Sequence, residues 1–116
     1  MQNSNRVERL AEAIRQEAAE IIEYEHEDDR NSGVSVTDVK LTQDLRIAKI
    51  FVDIEGNEQE VASTLKALNR AVGFVKHQLA LRLQVRKAPD LLILYDDTRK
   101  RATRIEQLLG EEKEAG

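Results

Sequence analysis

The sequence predicts an α+β domain, three strands covered on one face by helices, and three observations carry that expectation. Apolar residues recur at helical spacing over residues 7–22 and again over 61–83. Between them Ala48, Ile50, Val52 and Ile54 alternate with Lys49, Phe51, Asp53 and Glu55, the period of a half-buried strand. A small triplet, Ala71-Val72-Gly73, then interrupts the second helical stretch, where an interior glycine costs roughly 1 kcal/mol relative to alanine and so marks a bend or a close backbone approach.

Taken in order, the first helix has Ser4 or Asn5 as its cap and carries Val7, Leu10, Ile14, Ala18, Ile21 and Ile22 on one face. Arg6, Glu8, Arg9, Glu12, Arg15 and Glu17 charge the opposite face. The acidic run 23–29 leads into Asn31-Ser32-Gly33, a turn-rich stop. Val34–Leu41 is β-branched but changes phase between Val36 and Val39, the mark of a bulge. Thr42–Arg46 is short enough to join it to the Ala48–Ile54 strand as an antiparallel hairpin.

Asn57 and Glu60 form a capping-box pattern at the start of the next helix. Its stripe of Val61, Leu65, Leu68, Val72, Val75, Leu79 and Leu83 crosses Gly73 without losing phase, so two consecutive helices with a kink fit better than a loop. Pro89 pushes Ala88 out of helical geometry and ends the region. The continuous apolar run Leu91–Tyr95 suits a central strand, and Thr98 caps a last short helix holding Ile105, Leu108 and Leu109. Residues 1–110 make one domain and 111–116 a short charged tail.

The chain has 116 residues and no cysteine, which excludes disulfides and thiolate metal sites. No apolar run approaches the ~20 residues of a membrane span, and the polar start is unlike a secretory signal, so the expectation is a cytoplasmic monomer. The formal net charge is −4, but it is unevenly spread. Residues 61–104 hold ten basic and three acidic side chains, net +7, whereas the remainder nets −11. Such asymmetry suits a molecule with one face for a polyanion.

From Asp29-Arg30 onward the markers are ordered and specific in combination. They are Val39-Lys-Leu-Thr-Gln-Asp-Leu-Arg-Ile-Ala48, then Leu65-Lys-Ala-Leu-Asn-Arg-Ala-Val-Gly-Phe-Val-Lys76, Pro89-Asp90-Leu91 and Tyr95-Asp96-Asp97-Thr98. In these the chain resembles the ribosome-binding factor A family along residues 6–109. The resemblance implies a type II KH-like fold, ordered helix-strand-strand-helix-kink-helix-strand with a short C-terminal helix, in which the kink at Ala71-Val72-Gly73 replaces a glycine-rich loop. It also implies binding to the small (30S) ribosomal subunit and its 16S rRNA during late maturation and processing of the 16S 5′ region, release by an assembly GTPase, and no catalysis. The proline that family members often carry in the segment matching Asp28-Asp29-Arg30 is absent here.

Candidate RNA-binding residues are Lys66, Arg70, Ala71, Gly73, Lys76, His77, Arg82, Arg86 and Lys87. Ala71 and Gly73 would admit an RNA backbone, or would simply let two helices bend over the sheet. The cations would contact phosphates and make affinity fall with salt, or would only be solvated. Arg99, Lys100, Arg101 and Arg104 would grip RNA or balance Asp96, Asp97 and Glu106. Phe51 and Phe74 fall in apolar patterns and read as core, which favours recognition of RNA by shape and phosphate over base stacking. Asp96-Asp97 reads as capping rather than a metal site, and His26 as part of a solvated acidic run. No nucleophile has an evident base, no phosphate-cradling glycine loop is present, and no cofactor or metal is implied. The rival readings are a stress or hibernation factor on mature ribosomes, a KH-like module for free RNA, and a protein-interaction module using the acidic helix face.

Overall fold

Burial follows the sequence periods closely. The computed structural model describes residues 2–23 and 33–115, with the side chains of 6–23, 33–99 and 101–109. The elements run α1 (Gln2–Glu23), β1 (Val34–Leu41), β2 (Ile47–Ile54), α2 (Glu58–Arg70), α3 (Val72–Leu83), β3 (Asp90–Tyr95) and α4 (Thr98–Ala115). The acidic run after Glu23, the Asn31-Ser32 turn, the Asp29-Arg30 marker and His26 lie outside the described residues.

Ile14, Ala18, Ile21 and Ile22 give α1 a fully buried stripe that packs on β1 and α3. Each isoleucine removed from water contributes roughly 1.5–3 kcal/mol, so this stripe, more than helix propensity, holds α1 in place. Arg15 and Glu12 pair at 2.6 Å on the outer face. The helix already begins at Gln2, so neither Ser4 nor Asn5 is its cap.

The sheet is ordered β1-β2-β3, antiparallel between β1 and β2 and parallel between β2 and β3. Ala48, Ile50, Val52 and Ile54 face the helices and are buried, while Ile47, Lys49, Phe51 and Asp53 point to the other, largely open face. In β1 the register slips between Val36 and Asp38, with Val36 opposite Val52 and Asp38 opposite Phe51. Thr37 is thus the extra residue of a bulge, which is how Val36 and Val39, three apart, both reach the core. The hairpin turn is closed by Leu45 N–H donating to the Thr42 carbonyl at 2.9 Å, with Leu45 left-handed at φ 63°.

Gly56 sits at φ +127°, and a Cβ there would come within 2.9 Å of the Glu60 Cβ. Only glycine turns the chain this tightly into α2. The capping box follows: Asn57 Oδ1 accepts from Glu60 N–H at 2.8 Å and Glu60 Oε1 accepts from Asn57 N–H at 3.2 Å.

Two expectations are corrected. Residues 91–95 form an edge strand, not a central one, because a hairpin places β1 beside β2 and the α2–α3 crossover brings β3 to the remaining side. Leu92, opposite Lys49, lies on the open face of the sheet and is exposed. The last helix is long: α4 continues through residues 111–115, and its cap is Asp97 rather than Thr98, since the Asp97 carbonyl accepts from Arg101 N–H at 2.9 Å. Ile105, Leu108 and Leu109 on α4 are each more than half exposed, so this helix stands away from the body.

Candidate nucleic-acid interface

The bend falls on one residue. Ala71 ends α2 and opens α3 with φ −90° and ψ 5°, outside helical values, which turns the helix axis. Its N–H is shared between the carbonyls of Ala67 at 3.2 Å and Leu68 at 3.1 Å, and its own carbonyl accepts from Val75 N–H at 3.1 Å. Gly73 lies in the first turn of α3, not in a helix interior. It is exposed, its φ is not left-handed, and a Cβ added there would meet nothing within 4 Å. Neither strain nor internal packing therefore requires glycine at this position.

The kink opens onto a line of cations. A shallow cavity of about 240 Å³ is lined by Gly73, Lys76, His77, Ala80, Arg86, Lys87 and Ala88, so Gly73, two residues past the bend, shares one surface with four of the predicted basic residues. An adjoining cavity of about 460 Å³ shares Lys87 and Ala88 with it and adds Arg46, which is absent from the predicted set. Arg46 stands here because its carbonyl accepts from Asp90 N–H at 2.8 Å, tying the hairpin turn to the start of β3. Lys66 and Arg70 are exposed one turn apart near the end of α2.

Not every cation in the predicted stripe is equally available. Lys76 Nζ lies 2.5 Å from Asp90 Oδ1, and this hydrogen bond holds the Asp90 carboxyl below its ordinary range. Arg82 points the other way: its guanidinium bonds Glu20 at 2.6 Å and Glu17 at 3.1 Å on α1. The expectation that Arg82 extends the cationic stripe is thus corrected; it fastens α3 to α1. The cluster on α4 is separate, with Arg99 3.4 Å from Asp53 and Arg101 3.0 Å from Asp97.

Phe74 also departs from its expected place. It is 46% exposed on the outer side of α3, and Phe51 is half-buried on the open sheet face with Lys40 Nζ 5.8 Å from its ring centroid. The signal for Phe74 lies in the sequence: it falls out of phase with the stripe Val72, Val75, Leu79, Leu83. Asp96 does serve the chain path, as expected for a capping-type residue. Its Oδ1 accepts from Thr98 N–H at 2.9 Å, and its Oδ2 accepts from the bulge hydroxyl of Thr37. Those hydrogen bonds, the one from Thr37 first, depress its carboxyl below the usual value.

Among the described residues no group of acidic or histidine side chains is placed to hold a metal ion, and no helix is long and apolar enough to cross a membrane. A family model described as ribosome-binding factor A matches residues 6–109. The chain is 38% identical over 109 residues to the ribosome-binding factor A of Staphylococcus epidermidis, covering 94% of each. Its fold is similar to the crystal structure of ribosome-binding factor A from Thermus thermophilus, with a TM-score of 0.67 and 28% identity over 77% of this chain and 93% of that one. It is also similar to the Thermus thermophilus ribosome binding factor A coordinates fitted into a cryo-EM map of a 30S complex, with a TM-score of 0.65 and 28% identity over 76% and 92% of the two chains.

Proposed function

Since this chain belongs to the ribosome-binding factor A family, we propose that it docks on the small ribosomal subunit through 16S rRNA, using the kink and the cations beside it. The observation that carries this reading is the cavity joining Gly73 to Lys76, His77, Arg86 and Lys87 in a chain of net charge −4. A cationic rim attracts the phosphate backbone, and at Gly73 no side chain holds that backbone off. Arg70, Arg86 and Lys87 are exposed and supply the phosphate contacts. Ala71 provides the turn, and Lys66 extends the charge along α2.

The role is recognition without catalysis. The rigid α2–α3 corner rests on structured rRNA and holds a local conformation of the immature 30S particle during late maturation and processing of the 16S 5′ region. An assembly GTPase acting on the same particle would release it. The protein works as a cytoplasmic monomer with no cofactor.

Binding to purified 30S particles over a range of salt concentrations tests this. Replacing Arg70, Arg86 and Lys87 by alanine together weakens binding and flattens the salt slope, by about 0.7–0.9 per lost phosphate contact. An unchanged slope would overturn the docking surface.

A further inference from the structure

We propose that α4 is a strap: it folds back over the open face of the sheet and lays its own apolar stripe on the apolar strip that β2 and β3 expose there. The open face is the one turned away from α2 and α3, so this inference stands independently of the docking reading above.

Two apolar surfaces of this chain remain in water. On the open face Leu94 stands beside Phe51, Leu92 beside Lys49 and Ile47 beside Asp90, so the apolar side chains run down β2 and β3 as one strip. Ile47 is 42% exposed and Leu92 43% exposed, while Phe51 and Leu94 are half-buried. On α4, Ile105, Leu108 and Leu109 form the second surface, each more than half exposed. Joining the two removes both from water, which is the driving force for closure.

The first turn of α4 shows which way the stripe looks. Arg99 lies 3.4 Å from Asp53, on the open face, and Arg101 lines a cavity of about 410 Å³ with Lys40 and Phe51. At about 100° per residue, Ala102, Ile105 and Leu109 fall on the side of the helix between these two arginines, with Leu108 next to Arg101. The stripe therefore already looks toward the sheet, and only the divergence of α4 beyond its first turn keeps it in water.

The lengths agree as well. β3 ends at Tyr95 and α4 starts at Thr98, so a helix folded back runs antiparallel to β3. At ~1.5 Å per helical residue Ile105 reaches about 10 Å back along the sheet, and Leu108 and Leu109 about 15 Å. At ~3.3 Å per strand residue Leu92 lies about 10 Å back from Tyr95, and Ile47, level with Asp90, about 16 Å. Ile105 thus arrives over Leu92, and Leu109 over Ile47. The pivot is Asp97, because Asp96 before it is fixed to the sheet: its N–H donates to the Val52 carbonyl at 2.7 Å and its carboxylate accepts from the Thr37 hydroxyl.

The full chain has no cysteine, so introduced thiols can be read without interference. Leu92→Cys with Ile105→Cys places one thiol on each surface, whereas Leu92→Cys with Gln107→Cys puts the second on the opposite side of α4. Circular dichroism verifies the fold of each. Dibromobimane, which fluoresces on bridging two thiols, is followed at low micromolar protein, and mass spectrometry separates bridges within a chain from bridges between chains. The expected result is a bridge within the chain that forms at least about ten-fold faster for L92C/I105C than for L92C/Q107C. Ile105→Gln with Leu109→Gln keeps helix-forming residues and removes the stripe. It should lower the melting temperature by about 5 °C, a shift that a helix standing in water would not give. Equal bridging rates for the two pairs would overturn the strap, as would an unmoved melting temperature. Bridges found only between chains would also overturn it, and would assign the strip to a second copy.

Discussion

The carboxamide of Asn69 pairs with the backbone of Ile93 in both directions: Nδ2 donates to the Ile93 carbonyl at 3.1 Å, and Oδ1 accepts from the Ile93 N–H at 3.4 Å. A side chain on α2 thereby occupies backbone groups of an edge strand that has β2 on only one side. It also fixes the end of α2, one residue before Arg70, to the sheet, so the kink is set at a defined height above β3. Leucine at this position leaves two partly buried backbone groups without that partner, and we expect a loss of about 2 kcal/mol in urea unfolding.

Gly73→Ala separates stability from docking. The added methyl meets nothing and alanine is the better helix former, so the variant should be as stable as the parent or up to about 1 kcal/mol more stable. If the kink is the contact proposed above, its affinity for 30S particles should fall, because the methyl group would occupy the open space beside Gly73. A stabilised variant with undiminished affinity would count against the kink as the contact.

Arg82 behaves oppositely. Its partners Glu17 and Glu20 belong to α1, and its side chain is only 25% exposed. Arg82→Ala should cost about 1 kcal/mol of stability, since exposed pairs contribute little individually but this one joins two helices. The salt dependence of 30S binding should not move.

Gln84 ends α3 in the left-handed region at φ 56° and ψ 42°, with Val85 N–H donating back to the Ala80 carbonyl at 3.0 Å. Glycine is at home in this helix stop, whereas a side chain there costs roughly 1–2 kcal/mol. Gln84→Gly should therefore raise the melting temperature, by the equivalent of about 1 kcal/mol.

Asp96 gives the protein part of its acid sensitivity. Hydrogen bonds from Thr37 and Thr98 favour its charged form, so its folded-state pKa lies below the ordinary 3.8. A depressed carboxylate contributes stability that is complete above the unfolded-state value and is lost as the pH falls through the folded-state value. In Asp96→Asn, unfolding should depend less steeply on pH below about 4. A limb as steep as in the parent would show that the titrating carboxylates lie elsewhere.

Features set by neighbours in sequence are legible in the chain itself. The phase slip between Val36 and Val39 announces the bulge at Thr37, the pair Asn57 and Glu60 announces the capping box, and Gly73 marks the bend to within two residues. Features set by distant partners are not. An apolar run cannot say whether a second strand lies beside it, so residues 91–95 read as central though they form an edge. A cation's sequence neighbours do not reveal a carboxylate on another element, which is why Arg82 and Lys76 read as freer than they are. Phe74 misleads for a different reason: its hydrophobic character suggests core, while the period of the stripe places it outward.

The parallel register of β2 and β3 joins positions far apart in the chain, Ile47 beside Asp90 for example. Such non-local closure is slow compared with helix formation, because the loop entropy is spent before the strand contacts reward it. Asn69 reaches the Ile93 backbone only once β3 is in place, so the angle between α2 and α3 depends on that closure. Were the corner the docking surface proposed above, a chain ending before Tyr95 would lack the strand that holds it and should not bind 30S particles.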